Sequence, residues 1–126
     1  MKKQLIFIAI AAAGALAACS SLAKVSDVPT RNLTVNNTTM RQAIFAAGQK
    51  KGWSMYETKQ GVVDATLSRR GHEVQVTIPY TDHSYAIHYK NSTNMYYNAK
   101  KNKIHRKYNQ WVRNLDLEIT RAAEQF

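Results

Sequence analysis

A chain with one cysteine cannot close a disulfide within itself, and Cys19 is the one cysteine here. A small exported domain held by bridges needs an even number, four or more. Whatever folds in this chain is therefore held together by its core. Acids are scarce as well: 8 Asp and Glu stand against 18 Lys and Arg, a formal charge of +10. That imbalance concerns partners and solubility rather than fold. Long apolar runs are missing too. The run from Leu5 to Ala18 falls short of the ~20 residues that a bilayer-crossing helix needs. The four histidines, His72, His83, His88 and His105, never recur at a spacing of i, i+4. With no further thiol, the usual ligand spacings of a metal site are absent, so neither metal nor cofactor is expected.

The short apolar run has its own meaning. Lys2 and Lys3 precede it, and Leu16-Ala17-Ala18-Cys19 ends it. A positive start, an apolar stretch and small residues make an export signal. The cysteine just past the small pair resembles the lipobox of bacterial lipoproteins. The resemblance implies a diacylglycerol on Cys19, cleavage before it and acylation of the new amino group. It also implies, from Ser20 in place of an aspartate, onward transport to the outer membrane. Three segments follow: 1–18 as the signal peptide, 19–37 as the lipidated cysteine and a flexible tether, and 38–126 as one periplasmic domain. Loss of Lys2 and Lys3 leaves 16 Lys and Arg against 8 Asp and Glu, a charge of +8. An exported protein meets little nucleic acid. The anions expected as partners are phospholipid head groups, lipopolysaccharide phosphates and peptidoglycan carboxylates.

The tether assignment rests on Pro29 and the polar run from Thr34 to Thr39. Thr39, with Gln42 three residues on, forms a capping-box pattern. Met40, Ala43, Ile44 and Ala47 then repeat at helical spacing up to Gly52. The small residues Ala43, Ala46, Ala47 and Gly48 suit close approach to a sheet. Four segments of period two come next: Trp53 to Thr58, Val62 to Ser68, His72 to Tyr80 and Ser84 to Lys90. Short polar links join them, which predicts an antiparallel meander with one dry face. Asn91 to Lys103 reads as irregular, and a last helix is expected to start between Asn98 and Asn102. Its apolar stripe runs through Ile104, Tyr108, Trp111, Leu115, Ile119, Ala122 and Phe126. The expected fold class is α+β: a four-stranded antiparallel meander with two helices on one face, in the order α-β-β-β-β-α.

Ala43-Ile44 with Gly52-Trp53, Gly61, Val74 to Ile78 with Tyr80, Tyr85 to Tyr89 with Ser92, Ile104-His105 and Tyr108-Asn109 with Trp111 resemble a group of small envelope lipoproteins of Gram-negative bacteria. The resemblance covers roughly Thr38 to Leu115 and is most specific from Ile104 to Trp111. It implies fold and location and brings no catalytic residue with it.

Two clusters could carry chemistry. Lys100, Lys101, Lys103, Arg106 and Lys107, with His105 among them, would sit where a helix start already carries positive charge. An anion bound there would relieve the mismatch. The plainer reading is a solvated basic face, since a Debye length of about 8 Å makes exposed charges cheap. The second cluster is a row on the wet sheet face: Tyr56, Asp64, Thr77 and His88. A carboxylate, a hydroxyl and an imidazole in line suit nucleophilic catalysis, but a flat open face excludes no water. The sequence therefore points first to a non-enzymatic outer-membrane lipoprotein that binds an anionic envelope component or a protein partner. A small periplasmic hydrolase using His88 and Asp64 stands second. An accessory subunit whose free sheet edge accepts a strand stands beside it.

Overall fold

The computed structural model describes residues 21–124. Cys19, Ser20 and Phe126 lie outside the described residues. The first helix, α1 (Met40–Lys51), begins with the expected box. The Gln42 amide donates to Thr39 Oγ1 at 3.1 Å, and the Thr39 amide donates to Gln42 Oε1 at 3.1 Å. Gly52, at φ 84°, ends the helix in the left-handed region. Trp53 follows, buried as expected.

Seven strands are numbered in chain order: β1 (Leu22–Lys24), β2 (Val28–Asn32), β3 (Ser54–Lys59), β4 (Val62–Arg69), β5 (His72–Pro79), β6 (Ser84–Thr93) and β7 (Lys103–His105). β3 to β6 form the predicted meander, and the sheet order is β2-β6-β5-β4-β3. Val63, Ala65, Leu67, Val74, Val76, Ile78, Tyr85 and Ile87 build its dry face. Both helices close over that face in one core with Met40, Ile44, Ala47, Leu115 and Ile119. The architecture is α+β, with a second, two-stranded sheet of β1 and β7.

Three expectations need correction. Residues 22–24 and 28–32 are strands, not tether. β2 covers the outer edge of β6 antiparallel, with Val28 opposite Ile87 and Asn32 opposite Ser84. An uncovered edge there would leave a row of unpaired N–H and C=O groups. Pro29 is tolerated because β2 is itself an edge strand. The last helix, α2 (Lys107–Glu124), starts later than expected, because Lys103 to His105 pair with β1 instead. Ile104 is buried, but in β7. Within α2 the core stripe is Tyr108, Val112, Leu115, Ile119 and Ala123. Trp111 and Ala122 stand half-buried beside it, and Ala46 of α1 is exposed.

Two carboxylates are buried on α2. Asp116 receives a two-point fork from Arg31 of β2, with Nε and Nη2 each at 2.8 Å. The Tyr85 hydroxyl of β6 also donates to it at 2.6 Å. Glu118 accepts from Lys50 of α1 at 2.8 Å and from Arg121 at 3.1 Å. These clamps join both helices to each other and to the added strand.

Candidate anion-binding cleft

At one end of the sheet the helices leave a gap. The β4–β5 hairpin turns there through Arg70 at φ 51° and Gly71 at φ 81°. Two positive φ values make the turn that matches sheet twist, and asparagine or aspartate before glycine is its usual filling. An arginine at that position is held in a conformation that a long side chain seldom adopts. Arg69 alternates with Val63, Ala65 and Leu67, so it points to the helix side. Its guanidinium donates to the Lys51 carbonyl at 3.2 Å, at the negative end of α1. His72 sits opposite Arg69 in the ladder.

The segment after β6 closes over this turn. Asn94 Nδ2 donates to the Gly71 carbonyl at 2.7 Å, and His72 Nδ1 lies 2.8 Å from the Asn94 carbonyl oxygen. His105 arrives from β7, its ring centroid 5.9 Å from that of His72. The Lys107 amide donates to His105 Nδ1 at 3.1 Å, so the ring caps the start of α2 with that nitrogen unprotonated. Burial first, then the positive charges of His72, Arg106 and Lys107, hold His105 below its ordinary pKa. Burial thus disfavours the imidazolium first, and the neighbouring groups add to it.

The result is a cavity of about 450 Å³ lined by Arg69, Arg70, His72, Met95, His105, Lys107 and Trp111. A second, of about 250 Å³, adjoins it and shares Arg69 and Trp111, adding Lys51 and Trp53. No carboxylate among the described residues lines either one. Among the described residues, none of Lys51, Arg69, Arg70 and Lys107 pairs with a carboxylate. Cations from the hairpin turn and the start of α2, beside an indole wall, suit an anion attached to a flat apolar body.

Of the five cations singled out in the sequence, Lys107 alone lines this cleft. Lys100 and Lys101 occupy the turn before β7, Lys103 lies within β7, and Arg106 precedes α2. The presumed mismatch with the helix start thus applies to Arg106 and Lys107 and not to the other three. Arg69, Arg70 and His72 were missed. Their signal was present, since Arg69-Arg70-Gly71 puts two cations where a hairpin turn prefers Asn-Gly.

The wet row forms in the predicted register, with Tyr56 opposite Asp64, Asp64 opposite Thr77 and Thr77 opposite His88. Its side chains do not form a relay. Thr77 donates to Asp64 at 3.2 Å, and the Lys90 ammonium pairs with Asp64. His88 Nδ1 instead faces Asp27, at 3.5 Å. Asp64 and His88 are therefore held apart by separate partners. Among the described residues, no three of His, Cys, Asp and Glu converge as ligands would. Asn109 ties down the N-terminal segment: its Oδ1 accepts from the Ser26 amide and its Nδ2 donates to the Lys24 carbonyl. Comparison with protein-family models, with curated proteins and with solved structures returns no match.

Proposed function

We propose that this chain is a non-enzymatic, lipid-anchored protein of the outer membrane that faces the periplasm and binds an anionic envelope component in the cleft beside Trp111. The Cys19 motif and Ser20 support the location. The observation that carries the binding is the cleft itself: Arg69, Arg70 and Lys107 around one indole, with no acid in its walls. All three cations are exposed, so an anion gains from meeting them together rather than from burial, and salt screens that gain.

Pyrophosphate is a suitable minimal probe, read by tryptophan fluorescence of the full chain. Saturable quenching or a shift of Trp111 emission is expected, weakening as salt rises. Arg70→Asn removes a cation and supplies a residue that accepts φ 51°. It is expected to raise stability by up to ~1 kcal/mol while lowering affinity about tenfold. Lys59→Glu, at the opposite sheet edge, should leave the affinity alone. Absence of a saturable change, or equal loss in both variants, would remove the cleft as a binding site.

A further inference from the structure

We infer that the β1–β7 ribbon, with the Ala99–Asn102 turn beside it, is a second surface, meeting the cleft at His105, that lies flat on an anionic bilayer and fixes the orientation of the domain. This rests on the lipid-anchor reading for the source of the membrane, though not on the cleft. The first argument is reach. The Ser21 carbonyl already accepts the Arg106 amide at 3.0 Å, and Leu22 already pairs with His105. Three residues from Cys19 to Leu22 extend at most ~11 Å. An acyl chain on Cys19 would therefore enter the bilayer within that distance of Leu22.

The second argument is charge. From His83 to Leu115 the sequence holds no Asp or Glu. In the register Leu22 opposite His105, Ala23 opposite Ile104 and Lys24 opposite Lys103, the buried Ile104 turns its pair inward. Leu22, Lys24, Lys103 and His105 thus share the outward face. Lys100, Lys101 and Arg106 flank it, exposed. Among the described residues, none of these cations pairs with a carboxylate.

The third argument is the rim. Leu22 is 40% exposed, Tyr96 is 70% exposed and Tyr97 is 41% exposed. Tyr96 stacks near His105, at 6.4 Å between centroids, so this rim borders the ribbon. Tyrosines with exposed rings favour the head-group level, where one part is dry and the other wet. An acyl anchor, a basic face and an aromatic rim on one side are what a domain seated on a bilayer presents. The other end is different: Asp82 sits beyond the far end of β5, whose eight residues separate it from His72 by about 25 Å.

The test uses the full chain, purified with its anchor and reconstituted into vesicles of phosphatidylcholine alone or with phosphatidylglycerol. Lys101→Cys and Asp82→Cys each receive a spin label. Nickel chelated on lipid head groups is expected to relax the label at 101 strongly and the label at 82 weakly. That contrast should appear on the anionic vesicles and fade in high salt. Equal relaxation at both positions on anionic vesicles overturns the proposal. Mass spectrometry of the Cys19 peptide reads the anchor independently. If it carries no acyl group, co-sedimentation of the Cys19→Ser chain with the same vesicles decides the surface. Lys100→Glu, Lys101→Glu and Lys103→Glu together should then cost more than ~tenfold in binding, and an unchanged affinity overturns the proposal. These three line neither cavity, so pyrophosphate titration of the cleft should stay as it is.

Discussion

Asp116 shows how one side chain can join three elements. It is 5% exposed, on α2, and answered by Arg31 from β2 and Tyr85 from β6. Burial first, then the bond to Asp116, pushes the Tyr85 hydroxyl far above the ordinary tyrosine range. Removing one partner of such a set strands the others. Asp116→Ala is expected to cost about 1–2 kcal/mol, since the buried Tyr85 hydroxyl loses its acceptor while Arg31, 48% exposed, turns back to water. Urea denaturation measures it. Tyr85→Phe should cost nearer 1 kcal/mol by the same measurement. His105 gives a second prediction. Its folded pKa lies below 6.5, so the unfolded chain binds more protons just below that pH. Its contribution is present above 6.5 and is lost as pH falls through the folded value. The urea midpoint should drop from pH 7.5 to 5.5, and His105→Gln should flatten that slope. Glu118, held below its ordinary 4.5 first by its bond to Lys50, acts only at lower pH.

At the scale of elements, what could be read in advance followed the period of the pattern. α1 announced itself through Thr39, Gln42 and Gly52, and the meander through alternation over eight-residue stretches such as Val62–Arg69. β1, β2 and β7 gave no such sign. Val28 is the one buried residue of β2, and Ile104 the one buried residue of β7. A strand that buries one side chain has no period to show. Its partner lies far along the chain, which local spacing cannot reveal. The same blindness hid the cleft, because it is built from a turn, a loop and a helix start. Of its lining, the basic cluster read from the sequence holds His105 and Lys107, and that cluster was drawn for a different place. Trp111 was placed in the core because its spacing fits the stripe. It stands at the stripe's edge, where Val112 takes the inner position. Gly48 offers a test of how α1 lies on the sheet. A Cβ there would come 2.2 Å from the Met55 sulfur. Gly48→Val should therefore cost about 1–3 kcal/mol by overpacking, read as a fall in melting temperature. Ala46→Val, on the exposed side, should cost less than ~0.5 kcal/mol.

Over the whole molecule the charges are sorted. Asp27, Glu57, Asp64, Asp116 and Glu118 each face a cation or a histidine within the sheet and helix layers. Among the described residues most of the cations left over gather at the end that carries the Arg70 turn, β7 and the start of α2, with Lys59 at the other end an exception. Such sorting gives a small domain a field with direction, so an anionic surface turns it before it touches. The early strands add a constraint of a different kind. Ser26 and Asn109, which hold the ribbon to α2, stand 83 residues apart in the chain. A contact so distant closes a large loop, and its entropy must be met before the contact returns anything. The meander and α1 have nearer partners and do not wait for it. Pulsed hydrogen exchange during refolding should thus protect β4 and β5 before β1 and β7. The ribbon is then a latch. It shuts only after the last helix has arrived, so a nearly finished domain can form while its first strand is still unpaired.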